Sequence, residues 1–245
     1  GRDLLKICRQ NSDEKNQLND LNDTRNTQPA MFVVESLLID DLVRQGRKAS
    51  YLAGHSLGEI VALYAAEVFD AKTALRLLKL RSELMAACSG GGMTAVMGFD
   101  RQELEDLVEA TPGVVIANDN SSAQVVLSGS LEGVQVVTSK LNCKRAIPLK
   151  VSGAFHSPFM TEAAKAFEQE LDLVTFRDAT MPVISNADPT PTSDPAILKN
   201  RLKRQMTTGV RWRETMDFMA SNGISTLVEI GPGNVLSGLA KRSLK

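Results

Sequence analysis

Ser56 stands in the run Gly54-His55-Ser56-Leu57-Gly58-Glu59, with a glycine two places before it and another two places after. Small residues at those positions permit a sharp, strained turn that lifts the serine hydroxyl clear of a sheet. The next backbone N–H, that of Leu57, then opens a helix and points where an oxyanion would form. A serine nucleophile needs a base, and the chain has only two histidines, His55 and His156. His55 adjoins the serine, and neighbouring side chains at a tight turn diverge, so it reads as a buttress of the turn. His156 lies in the loop Ser152 to Ser157, ahead of a helix that Ser157 and Pro158 can initiate. It is the remaining candidate base, against the plainer reading of a surface histidine. The helix N-terminus would disfavour imidazolium and keep the ring ready to accept a proton.

Arg81 is the third unusual residue. Ala74, Leu77, Leu78, Leu84, Met85 and Cys88 form an apolar stripe at helical spacing, and Arg81 falls in its middle. A guanidinium among core positions needs an anion. The partner is either an internal carboxylate in a buried salt bridge or the carboxylate of a substrate held bidentately, unless the side chain snorkels to the surface. No Asp has a motif that would make it the third member of a triad. An amide or a backbone carbonyl orienting His156 is as plausible.

The serine turn needs a strand before it and a helix after it; Ala49 to Leu52 and Ile60 to Val68 supply them. Upstream, Asn11 to Asn26 reads as a polar loop or short irregular helices, and Thr27 as the cap of a helix with Pro29 near its first turn, ended by Gly46. A helix over Ala71 to Cys88 follows. The rhythm then changes to strand 94–99, helix 101–110, strands 114–117 and 124–127, helix 131–141 and strand 146–151. That βαββαβ order predicts a ferredoxin-like insert over 92–151. The α/β core then comprises 1–91 and 152–245. Later elements are a helix from Pro158, a strand near Pro182 to Ser185, helices at Ala196 to Met206 and Glu214 to Ser221, a strand at Thr226 to Ile230, a Gly231-Pro232-Gly233 turn and a terminal helix.

The bulk numbers set limits. A chain of 245 residues with 43% hydrophobic and 23% charged residues suits one globular domain with an insert. A formal net charge of −1 argues against a dedicated nucleic-acid binder. Cys8, Cys88 and Cys143 are far apart and form no C-x-x-C pair, which suggests neither zinc nor disulfides and fits a reducing cytoplasm. No stretch has membrane-spanning length, and no signal peptide is visible. The first methionine is Met31, and an N-terminal piece lying outside this sequence is expected.

Several segments in order resemble the malonyl-CoA:acyl carrier protein transacylase family of fatty-acid and polyketide synthesis. They are Asn26-Thr27-Gln28-Pro29-Ala30, the GHSLGE run, Leu80-Arg81-Ser82, Ala154-Phe155-His156-Ser157, Gln205 before Val210-Arg211-Trp212, and Glu229-Ile230-Gly231-Pro232-Gly233. The resemblance implies a hydrolase-like parallel-sheet core carrying the ferredoxin-like insert. It implies Ser56 as acyl-carrying nucleophile, His156 as base, Arg81 on the malonyl carboxylate, Leu57 as an oxyanion donor and Gln205 as support for the histidine. Asn118 and Asn120 fall where the family's insert approaches the substrate. Leu57 and Ala154-Phe155 resemble the malonyl-selecting members. The implied substrates are malonyl-CoA and phosphopantetheinylated acyl carrier protein, with no cofactor and no metal. Composition adds the expectation of no nucleic acid, no membrane and a cytoplasmic location, and leaves the oligomeric state open, a monomer being one option. The family's first strand ends in a Gly-Gln-Gly loop whose Gln amide is a second oxyanion donor, and residues 1–245 contain no such segment.

An acidic carrier protein calls for a basic face, and Lys199, Arg201, Lys203 and Arg204, or Lys241, Arg242 and Lys245, are the candidates. Two rivals remain open. A serine esterase or thioesterase would release free acid into water, and a non-catalytic docking module would bind carrier protein without forming an acyl adduct. Whether the chain acts alone or belongs to a larger synthase is a separate question.

Overall fold

The computed structural model describes residues 4–9 and 21–243. Polar segment 11–20 and Lys245, named above, lie outside the described residues. The fold is mixed α/β, with a short parallel sheet and a separate antiparallel one.

A short helix, α1 (Leu4–Arg9), precedes α2 (Thr24–Arg44). The latter starts three residues ahead of the expected cap: Asp23 is the N-cap, its carboxylate accepting the Arg25 N–H. Thr27 lies within the first turns, where its hydroxyl donates to the Asp23 carbonyl. Gly46 ends the helix as expected, at φ 71°, a left-handed conformation that glycine adopts without steric cost. Strand β1 (Leu52–Ala53) then leads into α3 (Gly58–Ala65), and α4 (Ala71–Ala87) begins at Asp70, which caps the Thr73 N–H.

The next six elements alternate as the sequence indicates: β2 (Gly92–Phe99), α5 (Arg101–Glu109), β3 (Val114–Ser121), β4 (Gln124–Gly129), α6 (Leu131–Lys140) and β5 (Cys143–Pro148). The four strands form one antiparallel sheet in the order β3-β4-β2-β5. Strand β5 lies earlier than 146–151, because its ladder pairs Phe99 with Cys143 and Thr94 with Pro148. Alternation along the strands divides the sheet's side chains between two cores. Val96, Val125 and Leu127 pack under α5 and α6, whereas Met93, Ala95 and Val126 join the main core with α2, α3 and α4.

A 3-10 turn at Pro158–Met160 runs into α7 (Thr161–Asp172), and β6 (Val183–Ile184) pairs in parallel with β1. Helices α8 (Pro195–Arg204), α9 (Trp212–Ser221) and α10 (Val235–Ser243) complete the chain. The strand expected at Thr226 to Ile230 does not form. No described strand lies beside it to take its peptide hydrogen bonds, and Leu227 and Val228 are exposed. Glu229 instead caps α10, its two carboxylate oxygens accepting from the N–H groups of Leu236 and Ser237.

Candidate active site

Strands β1 and β6 end side by side, and the loops at their carboxyl ends carry Ser56 and Asn186. In open α/β sheets this is where ligands bind. Ser56 has φ 53°, a strained left-handed conformation for a residue with a side chain. Its neighbours hold it there. Asn186 Oδ1 accepts the Ser56 N–H at 2.7 Å while Asn186 Nδ2 donates to the Gly54 carbonyl at 2.6 Å, and Gln205 Nε2 donates to the Ser56 carbonyl at 2.9 Å. The two glycines of the motif are not equivalent. A Cβ on Gly54 would lie 1.9 Å from the Gly58 carbonyl oxygen, whereas one on Gly58 would meet nothing within 4 Å. The turn demands glycine only at the first position.

The structure brings His156 to the serine. Ser56 Oγ lies 2.8 Å from His156 Nε2, and His156 Nδ1 lies 2.9 Å from the Gln205 carbonyl oxygen. A carbonyl only accepts, so Nδ1 carries the proton and Nε2 is free to receive the one on Ser56 Oγ. The third member of the relay is therefore a backbone carbonyl. Burial, and after it the Arg81 charge, lower the His156 pKa to about 3. Like Ser56, His156 sits at positive φ, 55°.

Arg81 is on the buried face of α4 with 1% of its surface exposed. No carboxylate among the described residues contacts it. Its Nε donates to Gln205 Oε1 at 3.1 Å, Nη1 to Gln28 Oε1 at 2.7 Å and Nη2 to Ser56 Oγ at 3.0 Å. The internal salt bridge weighed above is thus absent among those residues. A guanidinium has five N–H donors. Three go to neutral oxygens here, so a desolvated cation stands beside the serine with capacity to receive an anion. Burial lowers its pKa to about 10, opposed by the charge of Glu59, and it remains a cation at neutral pH.

Leu57 lies at the start of α3, and its N–H has no protein acceptor among the described residues. It is available to a developing oxyanion. His55 occupies the buttress position expected of it. Its Nε2 lies 2.8 Å from Asn120 Oδ1, and its ring meets the edge of Trp212. Asn120 therefore reaches the back of the serine turn. Asn118 is buried, with its backbone bridged to Val210; none of its hydrogen bonds reaches Ser56, His156 or Arg81 among the described residues. Gln28, Glu59 and Asn186 belong to the site and were not singled out for it from sequence. Glu59 had a usable signal, a lone carboxylate at the head of the apolar run Ile60 to Leu63.

The basic residues near α8 are largely committed to internal contacts. Arg201 is buried against Asp188 and Thr190, Lys203 pairs with Glu168 and Asp172, and Lys199 donates to the Val174 carbonyl. Arg204 is exposed, as are Lys241 and Arg242 on α10. No group of three metal-ligating side chains occurs among the described residues, and none of their helices is long and apolar enough to cross a membrane.

A profile described as the acyl transferase domain matches residues 3–245. The chain belongs to the acyl transferase domain family. Its relatives include a malonyl CoA-acyl carrier protein transacylase of Synechocystis, 51% identical over 220 residues that cover 90% of this chain and 75% of the relative. The crystal structure of a Synechocystis malonyl-CoA:ACP transacylase superposes with a TM-score of 0.92 at 48% identity, covering 98% of this chain and 80% of that one. A malonyl-transacylase in complex with its type II PKS acyl-carrier protein matches with a TM-score of 0.90 at 35% identity, over all of this chain and 81% of that one. For this acyl transferase, the site just described lies within the matched span.

Proposed function

We propose that this acyltransferase moves a malonyl group from malonyl-CoA to the phosphopantetheine thiol of an acyl carrier protein through a malonyl ester on Ser56. One observation carries the reading: the Ser56–His156 hydrogen bond lies directly beside a buried arginine that no carboxylate among the described residues contacts. Ser56 Oγ attacks the thioester carbon as its proton passes to His156 Nε2. The Leu57 N–H stabilises the oxyanion. Collapse breaks the carbon–sulfur bond, and His156 returns the proton to the departing CoA sulfur. In the second half, the carrier thiol gives its proton to His156 and attacks the ester, and Ser56 leaves with that proton. Arg81 pairs with the malonyl carboxylate, Gln205 orients His156 through its carbonyl, and Asn120 supports the turn through His55; Asn118 is assigned only to the wall of the substrate channel. The chemistry uses two substrates and no cofactor.

The same reading makes 1–91 and 152–245 a hydrolase-like core and 92–151 a ferredoxin-like insert, a division supported by the βαββαβ order and the strand order β3-β4-β2-β5. We place the enzyme in the cytoplasm, with Arg204, Lys241 and Arg242 as the basic groups open to an acidic carrier protein.

Incubation with malonyl-CoA followed by intact-mass measurement tests the reading. An adduct of one malonyl group is expected on the native chain, absent in Ser56→Ala and discharged by carrier-protein thiol. An adduct that persists in Ser56→Ala refutes the assignment, and rapid release of free malonate without a thiol would favour a thioesterase.

A further inference from the structure

Glu59 is fully buried one helical turn beyond Ser56, and no cation among the described residues contacts it. Its Oε2 accepts from Gln205 Nε2 at 2.8 Å and from the Asn186 N–H at 3.2 Å, while its Oε1 has no hydrogen-bond partner. The Gln205 amide therefore bridges two buried ionisable side chains. Its nitrogen faces the Glu59 carboxylate and the Ser56 carbonyl, and its oxygen faces Arg81 Nε. Reversing the amide would set its N–H₂ against the guanidinium N–H and its oxygen against two acceptors, so the carboxylate fixes the orientation. A buried carboxylate is costly unless something opposite in charge returns the energy. Arg81 is that charge, acting across the amide. Burial pushes the Glu59 pKa up; the Gln205 hydrogen bond, the Asn186 N–H and the Ser185 hydroxyl oppose the rise, and the Arg81 charge opposes it least.

We propose that Glu59 is a positioning residue that, through the Gln205 amide, holds Arg81 in the pose that receives a substrate carboxylate and so sets the preference for dicarboxylic over monocarboxylic acyl groups. The inference rests on the acyl-transfer reading above. Glu59 touches no reacting atom. Its second contact, to the Asn186 N–H, steadies the serine turn, which both classes of substrate share; only the Gln205 contact leads to the arginine.

The test measures the rates of acyl-enzyme formation from malonyl-CoA and from acetyl-CoA by quenched-flow intact mass. Glu59→Gln keeps the shape and an oxygen for Gln205 Nε2 but removes the charge. Its malonyl-to-acetyl ratio of kcat/KM should fall by about tenfold, the scale of one hydrogen bond to a charged group, with the loss carried in KM for malonyl-CoA. Acetyl loading should fall by less than malonyl loading, because it feels only the loosened Asn186 contact at the serine turn and has no carboxylate for Arg81 to receive. A ratio unchanged within about twofold, or equal losses on both substrates, overturns the proposal. In an Arg81→Ala background, Glu59→Gln should leave the ratio where Arg81→Ala alone put it; a further independent drop also overturns it. If Glu59→Gln does not fold, Gln205→Met decides. It keeps the carbonyl that holds His156 but removes both the amide bridge and the donor to the Ser56 carbonyl. The second loss slows both substrates alike, and the first should lower the ratio to the same extent as Glu59→Gln; an unchanged ratio overturns the proposal. Failure of the native protein to load malonyl at all would refute the transfer reading itself, a separate outcome.

Discussion

Replacing Arg81 by alanine should separate malonyl from acetyl chemistry. The side chain is 1% exposed and directs one N–H at Ser56 Oγ from 3.0 Å, so a malonyl ester on that oxygen places its carboxylate within the guanidinium's reach. A charge-assisted hydrogen bond of this kind is worth about 1.5–3 kcal/mol, roughly ten- to a hundredfold or slightly more in kcat/KM. Arg81→Ala should lose that factor in malonyl loading. Acetyl has no carboxylate and should load at close to the native rate. His156 keeps its orientation without the arginine, since its Nδ1 is held by the Gln205 carbonyl, and Ser56 Oγ keeps its hydrogen bond to His156 while losing the one from Arg81 Nη2. The substitution also removes the second-largest influence lowering the His156 pKa, so the ring becomes more basic while burial keeps it below its ordinary value. The substitution leaves Gln28 Oε1 and Gln205 Oε1 without this donor, and water entering beside the half-buried serine can replace it. The assay is acyl-enzyme formation from each thioester, on protein whose circular dichroism matches the native chain. Equal losses for the two substrates would refute the reasoning and make Arg81 a structural cation.

The glycines give a prediction about folding. Gly54→Ala should cost at least about 3 kcal/mol or abolish folding, because a Cβ there collides with backbone rather than with a side chain that can move. Gly58→Ala, at the first residue of α3, should be neutral or stabilise by up to about 1 kcal/mol in urea unfolding, and a large loss would contradict the geometry. His156 ties stability to pH. Its folded pKa is about 3 and its ordinary value 6.5, so the unfolded chain binds the extra proton between those values. Stability should therefore fall as pH drops through that window, by up to about 1.4 kcal/mol per pH unit from this group. His156→Asn should remove that part of the acid sensitivity, which comparison of unfolding midpoints at pH 7 and pH 5 would detect; identical pH slopes would contradict it.

Much of this molecule is local and therefore legible. The βαββαβ order of 92–151 follows from hydrophobic period and turn residues, which depend on neighbours a few positions away. The serine turn announces itself through Gly54, whose requirement is also local. The limits of strand β5 are not legible locally, because they are set by the ladder to β2, a long-range pairing. The segment 226–230 has a strand's composition, but a strand exists only where a partner takes its peptide groups, and the described residues provide none.

The site divides in the same way. Sequence alone named Ser56, His156 and Arg81, because a histidine is rare in this chain and a charge in an apolar stripe is conspicuous. Residue spacing could not choose what orients His156 or what answers Arg81; only the family resemblance pointed to Gln205 and to a malonyl carboxylate. Those answers come from residues distant in sequence. The Gln205 carbonyl, 49 positions from His156, holds the ring, and the Gln205 side chain, 124 positions from Arg81, joins that cation to Glu59. Backbone carbonyls and neutral amides carry no sequence signature, since every residue has the one and many surfaces show the other. Only burial in a common, water-poor space makes them decisive, and tertiary folding alone creates that space.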